Sequence, residues 1–279
     1  MSPIKNVAVV GASGNFGTPI TQALQASGFK VTIITRETST TVHPADISTV
    51  RTEYTLEALT KALNNQDAVV CVVGPGGVPL QKTFVDAAEA AGVQRFIIDD
   101  FGWGPDARGF PEFDAIHAIR REGWDYAAKK AKDNKNFTWT GLTAGNPIDW
   151  AMKRFPLMGF DISKHEAIIY DQGKERFTVN RFLKVQSIQT CQNELLDAFE
   201  RITGEKWKVA RLTSKELIEK GKEENKACVG GWVLKLAVSH LYDVGQGRGM
   251  VAPSRKESDA ELLGVKEESA EDIVAKLLG

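Results

Sequence analysis

The chain has 279 residues, of which 42% are hydrophobic and 25% are charged, so it is long enough to bury a large core as a soluble globular protein. Its 35 Lys and Arg residues nearly balance its 36 Asp and Glu residues, and this net charge of −1 gives no electrostatic reason to expect a nucleic acid or an anionic membrane as partner. No apolar run approaches the roughly 20 residues that a membrane span needs, and no signal peptide is evident at the N-terminus.

The first half of the chain alternates short apolar runs with helical patterns. The runs that predict strands are residues 7–10, 31–34, 68–73, 95–98 and 137–142. Helical spacing lies between them around Ile20, from Leu56 to Leu63 and from Leu80 to Ala91. Because the central strands of a parallel sheet are buried on both faces, they read as continuous apolar runs. The pattern predicts an α/β fold built on a Rossmann-type doubly wound parallel sheet.

The rhythm changes after about Gly145. Residues 146–150 look like a loop that enters a helix, and residues 167–170 and 176–179 flank a turn, which suggests a hairpin. Further elements are predicted at 194–203, 206–212 and 269–278, with a capping box at Thr213 and Glu216. We therefore expect a Rossmann domain over residues 1–150 and a smaller mixed α/β C-terminal substrate lobe over 151–279. This boundary is soft, because strands of the lobe can rejoin the first sheet.

The strongest chemical signal is the glycine-rich turn that follows the first strand and opens a helix. Its predicted cofactor-binding residues are Gly11, Ser13, Gly14, Asn15, Phe16 and Gly17. The first glycine permits a tight turn, the second lets the main chain approach a pyrophosphate, and the third allows close helix–strand packing. The free N–H groups of the helix N-terminus then favour the phosphates of a dinucleotide.

The end of the second strand indicates which dinucleotide binds. A carboxylate there would bind the ribose 2′-hydroxyl of NAD, whereas a guanidinium can bind the 2′-phosphate of NADP. Thr35 and Arg36 occupy this position, so the sequence favours NADP(H), although Glu37 follows directly and a solvated arginine is the alternative. Gly74 and Pro75 end a later strand, where the dinucleotide can cross, or where they form an ordinary glycine turn.

These pieces together resemble the NmrA-like and isoflavone-reductase-like branch of the atypical short-chain dehydrogenases. The resemblance rests on residues 9–17, 35–36, 66–70, 92–102, 137–142, 145–150, 194–196 and 203–207. It implies NADPH bound across the strand ends, a substrate cleft against the C-terminal lobe, and reductase chemistry. On the same basis, Phe101 and Asn146 are expected to contact the cofactor.

The chain also departs from this family's pattern. Reductases of the family carry a lysine near the nicotinamide, and counting back from Trp139 places that position at Arg120 or Arg121. Arginine keeps the charge but does not release a proton near neutral pH. The family's Ser-Glu-Phe-Gly is Asp99-Asp100-Phe101-Gly102 here, and the segment after Asn180 is shorter than in relatives. These departures concern catalysis rather than cofactor binding.

Three residues are candidates for catalysis. Arg120 would orient or polarise a carbonyl, with Asp99 at the end of the fifth strand or His117 one helical turn earlier beside it. Asp99 can instead cap the strand, and His117 can be structural. Tyr126 and Lys130 match the Y-x-x-x-K pair of ordinary short-chain dehydrogenases, and the alternative is a packed tyrosine beside solvated lysines.

The remaining sequence features set the environment of the protein. Cys71, Cys191 and Cys228 are far apart and form no C-x-x-C motif, so we expect each of them to be a reduced, mostly buried thiol in the cytoplasm. His165 and Glu166 lack the second histidine of a zinc motif, so no metal site is expected.

The leading hypothesis is an NADP-dependent oxidoreductase that acts on a small, aromatic or polyketide-like molecule, by family analogy. A non-catalytic dinucleotide sensor with a protein partner, and a cofactor-bound enzyme of non-redox chemistry, are the alternatives.

Overall fold

The computed structural model describes residues 3–99, 109–143, 148–174, 183–246, 252 and 254–279. The chain divides into two compact units. The first comprises the described parts of Met1–Phe101 and Ala115–Leu142, and the second comprises those of Gly102–Asp114 and Thr143–Gly279.

A parallel sheet of six strands forms the centre of the first unit. Its strands are β1 (Asn6–Val10), β2 (Lys30–Arg36), β3 (Ser48–Thr52), β4 (Ala68–Cys71), β5 (Arg95–Ile97) and β6 (Thr138–Thr140), and a two-residue strand β7 (Leu142–Thr143) follows. The spatial order is β3-β2-β1-β4-β5-β6, with every pair parallel. This order is that of a Rossmann fold, and the predicted fold class is confirmed.

Four helices connect these strands. They are α1 (Gly17–Ala26), α2 (Leu56–Ala62), α3 (Gln81–Ala90) and α4 (Asp114–Asp133). The chain turns after α1 at Gly28 and after α3 at Gly92, both of which have positive φ, as the sequence pattern predicts. Valines and isoleucines of β1, β2 and β4 are buried in one cluster that also contacts Ile20 and Leu24 of α1.

The strand register brings the carboxyl ends of the central strands together. Val10, the last residue of β1, pairs with Ile34 of β2 on one side and with Cys71 of β4 on the other. The chain order reverses between β1 and β4, because β2 continues the sheet on one side and β4 on the other. In sheets of this kind, ligands bind outside the carboxyl ends at such a reversal.

The second unit is mixed α/β. Its elements are α5 (Ile148–Arg154), β8 (Phe160–Asp161), β9 (Glu166–Tyr170), β10 (Leu183–Lys184), α6 (Gln192–Thr203), β11 (Lys208–Leu212), α7 (Ser214–Lys226), α8 (Trp232–Tyr242) and α9 (Ala270–Leu278). β9 lies between β8, which is antiparallel to it, and β11, which is parallel to it. The core of the second unit includes Phe160, Ile169, Phe199 and Val274, all buried.

The predicted capping box is present: the Thr213 hydroxyl accepts from the Glu216 N–H, and the Glu216 carboxylate accepts from the Thr213 N–H. For the predicted hairpin, residues 166–170 do form a strand, and its proposed partner at 176–179 lies outside the described residues. The segment that directly follows Asn180, which is predicted to be short relative to the family, also lies largely outside the described residues.

One expectation about the cysteines is wrong. Cys71 and Cys191 are buried, but Cys228 is exposed; it follows the end of α7 and has a left-handed backbone with φ 53°. Across the described ranges, no helix is long and apolar enough to span a membrane.

Candidate nucleotide-binding site

The turn between β1 and α1 is packed so closely that side chains are excluded at two positions. Gly11 has φ +92°, and a Cβ there would lie 2.4 Å from the carbonyl oxygen of Val72. A Cβ on Gly17 would lie 2.0 Å from the carbonyl oxygen of Gly11. The Gly14 N–H donates to Gly11 O at 3.0 Å and closes the turn. Glycine is therefore required at both positions by contacts between backbone segments.

A groove of about 340 Å³ lies at the carboxyl ends of β1, β2 and β4. Seven of the predicted cofactor-binding residues line it: Gly11, Ser13, Gly14, Thr35, Arg36, Gly74 and Pro75. A turn, a strand end and a loop that are distant in sequence thus contribute to one surface.

The other predicted cofactor-binding residues do not line this groove or cannot be placed. Asn15 is exposed in the turn, Phe16 precedes α1, and Gly17 is buried at the first position of α1. Gly17 thus supports the turn through packing. Phe101 and Asn146 lie outside the described residues.

The sequence interpretation missed the wall of the groove formed by Ser39, Thr41, His43 and Tyr54. The first three lie in the loop after β2, and Tyr54 follows β3. Because β2 and β3 are neighbouring parallel strands, the segments that follow them emerge at the same edge. That topology was the available signal, but it required β3, whose Ser48–Thr52 segment has a single large apolar residue.

Arg51 of β3 fixes the loop after β2. Its guanidinium donates to the carbonyl oxygen of Ser39 and, at 2.7 Å, to that of Thr41. The Glu37 N–H also donates to Thr52 O at 3.0 Å. The loop is therefore attached to β3 at three points before any ligand arrives.

Tyr54 forms a more rigid part of the same wall. Its hydroxyl donates to the carbonyl oxygen of Ile34 at 3.4 Å, and its ring meets that of Phe84 edge-on, with centroids 5.1 Å apart. Burial raises the pKa of Tyr54 to about 12, so the phenol stays protonated at neutral pH.

The described side chains that line the groove carry positive charge and no negative charge. Among its described lining residues, Arg36 is a cation and none is a carboxylate. Glu37, which made the sequence signal ambiguous, is exposed and is not among them. The lining therefore favours an anion.

The structure brings two of the three candidate catalytic residues together at the end of β5. The Arg120 guanidinium donates to the Asp99 carbonyl oxygen at 3.3 Å and lies 3.7 Å from its carboxylate. The side chain of Asp99 is only 6% exposed, whereas that of Arg120 is 26% exposed. Burial, and then the Asp99 charge, raise the pKa of Cys71 well above its usual value, which disfavours the reactive thiolate form of this thiol at the end of β4. His117 lies one turn before Arg120 on α4 and is half-buried.

The Y-x-x-x-K pair makes a structural contact between α3 and α4. The Tyr126 hydroxyl donates to Asp86 at 2.7 Å, and Lys130 lies 2.7 Å from both Asp86 and Glu89. The hydrogen bond to Asp86 is the main reason why the pKa of Tyr126 is raised. An arrangement that holds the proton on the phenol opposes a catalytic role, and it differs from the expected solvated lysine.

Comparison with known proteins agrees with this geometry. The sequence profile of an NAD(P)H-binding family matches residues 11–167. The chain belongs to this NAD(P)H-binding family. Oxidoreductase poxI of Penicillium oxalicum is 57% identical over an alignment 288 residues long, which covers 96% of this chain and 92% of that protein. Oxidoreductase aprR of Aspergillus flavus is 31% identical over 238 residues, which cover 75% and 78% respectively.

Solved structures with low sequence identity share the fold. An isoflavone reductase superposes with a TM-score of 0.75 at 14% identity, covering 98% of this chain and 99% of that chain. A leucoanthocyanidin reductase–NADPH complex from Vitis vinifera gives a TM-score of 0.76 at 15% identity, covering 98% and 100%. The resemblance to isoflavone-reductase-like proteins is therefore confirmed.

Proposed function

We propose that the chain is an NADP(H)-dependent oxidoreductase of the NmrA-like type. The observation that carries the choice of NADP(H) over NAD(H) is the groove lining, which combines the Arg36 guanidinium with no carboxylate among its described residues. A ribose 2′-hydroxyl is normally bound by a carboxylate, whereas a 2′-phosphate calls for a cation.

The glycine turn would hold the pyrophosphate. Gly11 and Gly14 let the main chain approach the phosphates, and Ser13 and Asn15 are exposed beside them. The N-terminal end of α1 adds a favourable partial positive charge. Thr35 and Arg36 would contact the adenosine ribose, and Gly74 and Pro75 leave room for the dinucleotide where β4 ends.

The chemistry would take place at the β5–α4 side of the same unit. When bound, the nicotinamide supplies or accepts the hydride. Arg120 would orient a substrate carbonyl and stabilise negative charge on its oxygen, while Asp99 holds the guanidinium in place. His117, one turn away, would be the proton donor that arginine cannot be.

The substrate would be a small molecule of aromatic or polyketide type. Support comes from relatives alone: poxI and aprR are named oxidoreductases, and a structural neighbour was solved as AtPrR2 with NADP+ and (+)pinoresinol. We place the protein in the cytoplasm, where dinucleotides and reduced thiols are available.

A second candidate function is a redox sensor that binds the dinucleotide without turning it over. It is favoured by the expectation that an arginine, Arg120 or Arg121, replaces the family's lysine, together with the contact between Arg120 and Asp99. A sensor would signal through a protein partner. Non-redox chemistry on a bound dinucleotide would leave the ratio of oxidised to reduced cofactor unchanged.

Two measurements test the proposal. Arg36→Ala should weaken NADPH binding about 10- to 100-fold, the usual worth of hydrogen bonds to a charged group, and leave NADH binding within about twofold. Arg211→Ala, which removes an exposed arginine of β11, is the matched control and should change neither. An equal loss for both dinucleotides would contradict the choice of NADP(H).

Turnover separates the functions. Loss of NADPH absorbance should be followed with a panel of enones and aromatic ketones. Consumption by any of them supports the reductase. Tight binding with no consumption across the panel favours the sensor, and product formation without a change in the cofactor favours non-redox chemistry.

A further inference from the structure

One histidine in the groove has an unsatisfied nitrogen. His43 is among the lining residues, and its Nε2 atom is shielded from water without a hydrogen-bond partner in the described part of the chain. Buried polar atoms in proteins nearly always have partners. Because His43 lines the groove, a turn of its ring would let a ligand in the groove supply the partner that Nε2 lacks.

The backbone around His43 is held in place independently of any ligand. Arg51 binds the carbonyl oxygens of Ser39 and Thr41, and the Ile47 N–H donates to Pro44 O at 3.2 Å. These contacts lie on both sides of His43 in the sequence. The imidazole is therefore presented by an ordered loop.

The charged and titratable groups around the imidazole favour an anionic ligand. Arg36 and Tyr54 share the groove with it, and Arg51 acts on it from β3. None of the described lining residues is a carboxylate. Burial, and then the charge of Arg51, lower the pKa of His43, so the ring is neutral at neutral pH when the groove is empty. A phosphate dianion nearby would act in the opposite direction and favour the protonated ring.

We propose that His43 is a second ligand of the 2′-phosphate of NADP(H), beside Arg36, and that its imidazole takes up a proton when this phosphate binds. The inference rests on the proposed choice of NADP(H) and adds to it a pH-dependent selectivity. NADPH should bind more tightly as pH falls from 8 towards 6.5, whereas NADH, which lacks the phosphate, should not share this part of the dependence.

Calorimetry with two variants tests this. Titrations of the full chain with NADPH in buffers of different ionisation enthalpy give the number of protons taken up. His43→Gln keeps an N–H donor but does not titrate, so it should lose the His43-linked proton uptake. His43→Ala should also lose the donor and weaken NADPH about tenfold at pH 6.5, with NADH changed less than about twofold. The 2′-phosphate itself titrates near pH ~6, so the difference between wild type and His43→Gln isolates the imidazole.

Nuclear magnetic resonance gives a readout that does not depend on a variant folding. The chain has four histidines, so the imidazole nitrogens can be followed individually. NADPH should shift one histidine to the protonated form at pH 7, and NADH should not.

The outcomes distinguish this inference from the proposed function. If wild type shows no preference for NADPH over NADH, the choice of NADP(H) fails and His43 fails with it. If Arg36→Ala abolishes the preference but His43→Ala leaves NADPH binding unchanged, or weakens both dinucleotides equally, only the role of His43 is overturned. Equal proton uptake by wild type and His43→Gln would overturn it as well.

Discussion

Two regions at the carboxyl ends of the strands in the first unit are built in different ways. Around β1, β2 and β4, glycines place backbone against backbone, and Gly17 approaches Gly11 so closely that a Cβ would lie 2.0 Å from its carbonyl oxygen. At β5 and α4, the arrangement depends on side chains, with Arg120 held by Asp99. The first region carries the glycine turn of the NAD(P)H-binding family, and the second region is where the sequence predicts a departure from isoflavone-reductase-like proteins. Under the proposed function, we therefore expect substitutions in the first region to affect dinucleotide binding and substitutions in the second to affect turnover.

The largest effect is expected at the glycine turn. Gly17→Ala puts a methyl group against the backbone of Gly11, so the turn must shift and NADPH binding should weaken at least about 100-fold. Binding titration measures this, and circular dichroism checks the fold. Gly28→Ala is the matched control: it also strains a turn, with φ +84°, but nothing lies within 4 Å of its Cβ. It should lower stability and leave NADPH affinity unchanged.

A smaller effect, on turnover alone, is expected in the other region. Arg120→Ala should lower kcat about 100-fold, the typical loss when one oxyanion donor is removed, with the Kd for NADPH within about twofold. Arg120→Lys restores an amine that can give up a proton, so it should retain activity and add a limb to the pH profile. Arg121→Ala removes the exposed neighbour and serves as control. A loss of NADPH affinity in Arg120→Ala as large as that in Gly17→Ala would contradict the expectation that the two regions contribute separately to binding and turnover.

The smallest effect is expected at the amino-terminal ends of β1 and β4, opposite the groove. One carboxylate oxygen of Asp67 accepts the N–H groups of Lys5 and Asn6 at 2.8 Å each, and these bonds lower the pKa of Asp67. A lowered pKa contributes stability above the unfolded value near ~4, and this contribution is lost as pH falls through the folded value.

Asp67→Asn should therefore reduce the free energy of unfolding at pH 7 by about 1 kcal/mol, and by less at pH 3. Denaturant titration at both pH values measures it. Asp125→Asn, at an exposed position on α4, is the control. Unchanged NADPH binding in Asp67→Asn would support ligand binding at the carboxyl ends of the strands. An equal loss of unfolding free energy at both pH values would show that the charge of Asp67 is not the cause.

Strong periodicity made much of the fold predictable. The strands β1, β2 and β4 are buried on both faces and therefore consist of apolar residues, and α1 and α3 are followed by glycines at positive φ. The sequence interpretation passed over β3 and α8. Exposed and half-buried positions in Ser48–Thr52 accept polar residues, so the strand carries no apolar run. α8 was not predicted, although its sequence is rich in apolar residues.

The site was predictable where a backbone requirement selects a residue type. Gly11 and Gly14 follow from the need for close approach, and Arg36 from its place at the end of β2. His43 and Tyr54 were not found, because their inclusion depends on how the loop after β2 folds against β3. Phe101 and Asn146 stay predictions, since they fall outside the described residues.

The contacts of Arg51 have a consequence for how selectivity arises. Ordering a free loop costs roughly 1–2 kcal/mol of backbone entropy per residue. Here the guanidinium of Arg51 and the Glu37–Thr52 hydrogen bond impose that order during folding. A dinucleotide bound here as proposed would meet an ordered surface. The difference in affinity between NADPH and NADH would then measure the interactions of the 2′-phosphate rather than the cost of ordering the loop.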